Sequence, residues 1–208
     1  GLVEFDATRL AELVLDAAHA VLHGAGDPTV AGVGITNQRA STVIWDRATG
    51  VPIAPALGWQ DLRTVGECIT AKVEHGIHVA PNQSATKIGW LLANAAAGRD
   101  PAELCFGTID TWVAWTLSQG ALHVTDHSNA AVTGLYAIEH GTWHAGVCER
   151  LGVPETLLPA IVDTAGVVGA ATALPGSPPI AALVGDQQAS MAGQGCTTPG
   201  LAKITFGT

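Results

Sequence analysis

Charge is what this sequence has least of. Lys, Arg, Asp and Glu make up 13% of its 208 residues, about half the ~25% usual in soluble domains. Basic residues are the scarcer kind: 9 Lys and Arg against 18 Asp and Glu leave a formal net charge of −9. A nucleic-acid partner needs a basic footprint to meet its phosphates, so that class is not expected. No apolar run approaches the ~18 residues of a membrane span, and no signal-peptide pattern opens the chain. The cysteines are few and scattered: Cys68, Cys105, Cys148 and Cys196 form no Cys-x-x-Cys pair. They read as small core residues of a cytoplasmic protein, not as a disulfide framework or zinc site. His19 and His23 stand at i, i+4, but nothing acidic or thiol-bearing is spaced to complete a metal site with them. There is no internal repeat and no low-complexity tract.

What is present suffices for a packed α/β domain. Apolar residues are 48% of the chain, and the length allows one large domain or two small ones. Asp6 is placed to cap a helix whose apolar face is Leu10, Leu13, Val14, Ala17, Val21 and Leu22, stopped by residues 24–28. Three strand-like runs follow at 30–36, 41–46 and 52–59, the last two joined by a turn in which Gly50 takes positive φ. Ser84 is expected to cap a helix through Leu91, Leu92 and Ala95. Residues 108–117 read as a helix apolar nearly all round, hence buried. Shorter strands are expected at 122–126, 167–170 and 180–184, a helix at 187–194, and a last strand at 201–206. Strands alternating with helices imply a sheet covered on both faces.

The stretch from Ile180 to Gln188 poses a chemical question. An apolar strand runs into Gly185-Asp186-Gln187-Gln188, and a small-residue helix begins behind it. An Asp at such a turn is a good N-cap, its carboxylate accepting from an orphan N–H. The same turn can instead present a carboxylate to a cleft from a rigid backbone.

Six stretches in this order and spacing, GITNQR (34–39), WQDLRT (59–64), GTIDTW (107–112), HVTDHSNA (123–130), GDQQA (185–189) and AKITFGT (202–208), resemble the N-terminal domain of the FGGY carbohydrate kinases. Within that family the glycerol kinase branch is most similar, over essentially the whole chain. The resemblance implies a ribonuclease H-like, actin-type ATPase fold of α/β class. It implies phosphoryl transfer from ATP, with Mg²⁺, to a primary hydroxyl of a small polyol or sugar. By motif match Asp186 is the catalytic base and the residue nearest Mg²⁺ through the nucleotide. Arg39 binds substrate hydroxyls, Trp59 packs on the substrate carbon chain, and Gln187 contacts the substrate. Gly207 and Thr208 begin a turn near the nucleotide phosphates. The competing readings are a solvated hairpin charge for Arg39 and a core position for Trp59.

Two positions depart from the glycerol kinase pattern: Ala40 stands where a glutamate follows the arginine, and Asn82 where a tyrosine precedes the Ser-x-Thr-Lys helix. Both substitutions put strict glycerol specificity in question, because a lost acceptor for a substrate hydroxyl costs discrimination. No segment matches the Asp-x-Gly-Thr-Thr-type strand and turn with which the family opens. The expectation is therefore that residues 1–208 are most of one FGGY N-terminal domain, without its opening phosphate-loop strands and without the C-terminal domain, and inactive alone. The alternative expectation is a degenerate, non-catalytic polyol-binding or interaction module of the same fold. Homo-oligomer formation is left open.

Overall fold

The structure, a computed structural model, describes residues 1–206. In chain order its elements are β1 (Glu4–Phe5), α1 (Ala7–Gly24), β2 (Val33–Asn37), β3 (Val43–Asp46), β4 (Ala56–Leu57), α2 (Val65–His75), α3 (Ala85–Ala95), β5 (Leu104–Gly107), α4 (Ile109–Leu117), β6 (Val124–Asp126) and α5 (His127–Ala130). A hairpin of β7 (Tyr136–Ala137) and β8 (Thr142–Trp143) follows, then α6 (Ala145–Arg150), β9 (Ala160–Val162), β10 (Ala165–Ala170), β11 (Pro179–Gly185) and α7 (Asp186–Gly193).

The strands form one three-stranded sheet, ordered β10–β11–β2, and four strand pairs. β11 runs antiparallel to β10 and parallel to β2, in a register that sets Leu183 opposite Ile35 and Gly185 opposite Asn37. β3 and β5 pair antiparallel, Trp45 opposite Cys105. Alternation along β3 and β5 divides the core, because successive side chains leave a strand on opposite faces. Val43, Trp45 and Cys105 point into one cluster with Ile35, Trp112, Ile180 and Leu183. Ile44, Leu104 and Phe106 point into the other with Leu57, Ile88, Leu91 and Leu135. Side chains thus pack on both faces of the β3–β5 pair, but the expected single sheet covered on both faces does not form: along β2 Ile35 and Asn37 are buried while Gly34 and Thr36 are exposed.

α1 begins as expected: Asp6 is extended and its Oδ1 accepts the Arg9 N–H at 3.0 Å. The face it buries differs. Leu10, Ala11, Val14, Leu15 and Ala18 lie against the core, while Leu13 and Val21 are 48% and 70% exposed. The helix packs on α4 along one side only, so the expected stripe is half used. α4 is buried nearly all round, as its composition requires.

Three further expectations need correction. Of the run 52–59 only Ala56 and Leu57 are strand, although Gly50 does take φ 69° and Trp45 bridges Pro52 across the turn. Ser84 precedes α3 but makes no capping bond, because its backbone is helical (φ −81°, ψ −27°) and its hydroxyl is engaged elsewhere. Residues 201–206 form no strand, and Leu201, Ile204 and Phe206 are exposed. A strand exists only as part of a ladder, and no described residue pairs with this run.

Candidate active site

β2 and β11 are parallel neighbours and end side by side, Asn37 opposite Gly185. The carboxyl ends of adjacent parallel strands are where α/β sheets place ligands. From β2 the chain continues into Gln38, Arg39 and Ala40; from β11 it continues into Asp186 and Gln187. These residues, with Trp59, Asn82, Gln83, Ala80 and Val132, line one cleft of about 620 Å³. All six described residues singled out from the sequence, Arg39, Ala40, Trp59, Asn82, Asp186 and Gln187, are among them. Gly207 and Thr208 lie outside the described residues.

Asp186 does not cap α7. Gly185 holds the N-cap position and Asp186 is the first helical residue. Its Oδ1 accepts only the N–H of the next residue, Gln187, at 2.8 Å, and it is exposed on the cleft. Among the described residues this carboxylate is the only one lining the cleft, and it does not hold the N-cap position that its place in the sequence suggested.

Arg39 is not a solvated hairpin charge. Its Nη2 donates to Gln187 Oε1 at 3.0 Å and its Nη1 to the Ser128 carbonyl at 3.3 Å. The aliphatic stem crosses directly over Gly185, where an added Cβ would lie 2.9 Å from Arg39 Cγ and nearer still to Cδ. The Gly185 backbone (φ −63°, ψ 146°) suits any residue, so glycine is required there for space and not for conformation.

Trp59 is 40% exposed, which excludes the core reading. It lines the cleft and is tied there by one ring bond and one backbone bond. Nε1 donates to Gln38 Oε1 at 3.2 Å and the backbone N–H to Ser41 Oγ at 3.1 Å. Just before it, the Gly58 carbonyl accepts from Lys87 Nζ at 2.7 Å. Lys87 is fully buried, and burial pushes its ammonium down to about 8, partly opposed by Asp61. Just after it, Asp61 accepts the Val3 N–H at 2.6 Å and binds Arg63. Burial works to raise the Asp61 carboxyl, but these bonds hold it well below the usual carboxylate range.

Ala40 is buried with φ 63°, a left-handed conformation that residues with a Cβ rarely take. Its carbonyl accepts from Ser84 Oγ at 3.1 Å and Thr42 Oγ1 at 3.3 Å, which fixes the turn. The Ser84 hydroxyl that sequence reasoning assigned to a helix cap therefore secures the cleft wall. Gln38, Gln83 and Ser128 also belong to the site. Gln38 and Ser128 stand in two of the stretches that mark the family, yet neither position signals its contact.

Among the described residues no group of three His, Cys, Asp or Glu side chains could hold a metal. His19 bonds the Ala173 carbonyl at 3.2 Å, and His23 lies 3.7 Å from Asp27. Cys68, Cys105 and Cys148 are buried and all four cysteines are free. No described helix is long and apolar enough to cross a membrane.

Residues 1–193 match the model of the FGGY family of carbohydrate kinases, N-terminal domain. The chain is 43% identical to the glycerol kinase of Aromatoleum aromaticum over 224 aligned positions, covering all of this chain and 45% of that protein. It is also 43% identical to the glycerol kinase of Halorhodospira halophila, of which it covers 44%. The chain thus spans less than half the length of these relatives. The crystal structure of Plasmodium falciparum glycerol kinase with ADP superposes with a TM-score of 0.82 at 28% identity, over 93% of this chain and 42% of that one. Xylulose kinase from Rhodospirillum rubrum shares the fold, with a TM-score of 0.81 at 21% identity, over 96% of this chain and 44% of that one.

Proposed function

Because the chain belongs to the FGGY family of carbohydrate kinases and has their ribonuclease H-like, actin-type fold, we propose that it supplies the acceptor side of a cleft in which ATP phosphorylates a primary hydroxyl of a polyol or sugar. The observation that carries this reading is the convergence of Arg39, Trp59, Asp186 and Gln187, from three separate stretches of sequence, on one cleft whose single carboxylate among the described residues bonds only the N–H of its neighbour Gln187.

In this reading Trp59 offers an apolar face to the substrate carbons, and the Arg39 fork binds two of its hydroxyls. Gln187, already bonded to Arg39, orients both. The attacking hydroxyl oxygen forms its bond to the γ-phosphorus while its proton passes to an Asp186 carboxylate oxygen. The bond from phosphorus to the bridging oxygen breaks, and its electron pair leaves with ADP. Such transfer depends mainly on positioning and charge stabilisation, which explains why the walls around Trp59 and Ala40 are so heavily tied. Mg²⁺ enters the proposal only as the companion of ATP. One carboxylate is not a metal cage, and the residues described here do not make one. A cytoplasmic location belongs to the same proposal, supported by the four free cysteines.

Ala40 and Asn82 both face the cleft, which supports a substrate other than glycerol, larger or differently hydroxylated. The experiment that tests the function is Asp186→Asn in the full-length protein carrying this chain. Asn keeps the shape and an acceptor oxygen but takes no proton. The expected loss in kcat is ~10²–10⁴-fold, with substrate binding by calorimetry nearly unchanged. A variant that keeps more than about a tenth of the wild-type kcat lies outside that range and rejects the base assignment.

A further inference from the structure

The stretch HVTDHSNA contributes nothing to the cleft lining, yet it holds the most densely bonded carboxylate near the site. Asp126, the last residue of β6, is fully buried. Its Oδ1 accepts from Ser128 Oγ at 3.0 Å, the Asn129 N–H at 2.9 Å and Asn129 Nδ2 at 2.8 Å. Its Oδ2 accepts from the Ser128 N–H at 3.0 Å and Thr164 Oγ1 at 2.7 Å. Five donors saturate a carboxylate. That is far more than a four-residue helix such as α5 needs for its cap.

The bonds continue outward to both strand ends that build the cleft. Ser128 has one hydroxyl proton, and it goes to Asp126. This turns the oxygen lone pairs towards the Gly185 N–H, which donates to Oγ at 2.8 Å. The Ser128 carbonyl accepts from Arg39 Nη1 at 3.3 Å. Beside it, Asn129 Oδ1 accepts from Asn37 Nδ2 at 2.9 Å. A single residue therefore touches the amide of Gly185, the residue directly before Asp186, and the guanidinium of Arg39, and its neighbour touches the end of β2.

We propose that Ser128, oriented by Asp126, is a positioning residue for phosphoryl transfer: it fixes the Asp186 carboxylate relative to the Arg39 guanidinium. This rests on the kinase reading given above. Removing the hydroxyl frees the Gly185 peptide and with it the direction of the Asp186 side chain. Main-chain bonding to Arg39 survives, so the effect falls on the chemical step more than on substrate capture.

The test compares wild type, Ser128→Ala, Ser128→Thr and Asp186→Asn in the full-length protein, with ATP and whichever of glycerol, tetritols, pentitols and ketopentoses gives the highest turnover. Ser128→Ala is expected to lower kcat by about 10- to 100-fold, the range of an ångström-scale misplacement. KM for the acceptor substrate, which Arg39 binds, should stay within about twofold. Ser128→Thr, which keeps a hydroxyl, should recover most of the lost kcat. A merely structural serine would lower stability but leave kcat per folded enzyme unmoved. If Asp186→Asn is inactive while Ser128→Ala keeps the wild-type kcat, the positioning role is overturned and the kinase reading stands. If Asp186→Asn remains active, the kinase reading itself fails and the proposal falls with it. Should Ser128→Ala fail to fold, hydrogen exchange of the Gly185 amide in the unmodified chain decides: slow exchange supports the bond to Ser128, and exchange at the free-peptide rate overturns it.

Discussion

A single methyl group at Gly185 should uncouple Arg39 from the site. The backbone there is extended and ordinary, so Gly185→Ala carries no conformational penalty. It even removes unfolded-state freedom, a gain of about 0.4–1 kcal/mol where the conformation is compatible. The added Cβ, however, meets the middle of the Arg39 stem, with Cγ at 2.9 Å, and also Gln188 Oε1 at 2.9 Å. The Gln188 amide is the end of a flexible side chain and can turn away. The Arg39 stem cannot move without withdrawing the guanidinium from Gln187 and Ser128. Overpacking of this kind costs about 1–3 kcal/mol, so the net expectation is a destabilisation of up to about 2.6 kcal/mol, from the difference of these two ranges. In an Arg39→Ala background the methyl occupies vacated space, and only the entropic gain remains. The two substitutions should therefore show a coupling energy of about 1–3 kcal/mol in a double-mutant cycle. Urea unfolding of the four proteins measures it. The same cycle read by polyol binding should show Gly185→Ala weakening affinity by about 10-fold or more, one charge-assisted hydrogen bond at 1.5–3 kcal/mol, with no further loss once Arg39 is absent. If Gly185→Ala costs the same stability in both backgrounds, within about 0.5 kcal/mol, the packing argument is wrong.

Other outcomes follow from the site and the core. Ala40→Glu with Asn82→Tyr should raise kcat/KM for glycerol at least ~10-fold in the full-length protein, since one charge-assisted bond returns; an unmodified protein that already prefers glycerol over tetritols, pentitols and ketopentoses refutes the placement. Stability against pH tests two titratable groups of the core, the buried Asp110 and the partly buried His123. Burial pushes the Asp110 carboxyl up to about 6, against bonds from Thr108 and Thr125, so its contribution is present below the unfolded value near ~3.9 and is lost as pH rises through about 6. Burial pushes His123 down to about 4, so its contribution is present above ~6.5 and is lost as pH falls through about 4. The two oppose each other over one window, and the wild type should be nearly flat there. Asp110→Asn removes one of them, so stability should climb with pH by about 3 kcal/mol more than in wild type; equal slopes for the two proteins in chemical denaturation would dismiss the assignment.

Much of the local structure was legible in the residues alone. Asp6 caps α1, α4 is buried because it is apolar nearly all round, Gly50 turns the β3 hairpin, and an apolar run ends at Gly185 where a helix starts. These signals reach only a few residues along the chain, which is the range over which caps, turns and periodicity act. The motifs also named six residues that do meet in one cleft. What they could not tell is which duty each side chain performs. Asp186 and Ser84 both stand where a helix cap is expected and neither acts as one, because a capping bond competes with partners brought by distant segments: Ala40 claims Ser84, and the N-cap falls to Gly185. The run 201–206 has strand composition but no ladder to join among the described residues. The face that α1 buries was decided by α4, and the need for glycine at 185 by an arginine 146 positions earlier in the sequence. Asp126 and Ser128 were visible only as part of a motif. The bonds of Ser128 to residues 39 and 185, and of Asn129 to residue 37, exist because the segment from β6 into α5 packs against the paired ends of β2 and β11, and no local pattern encodes that packing.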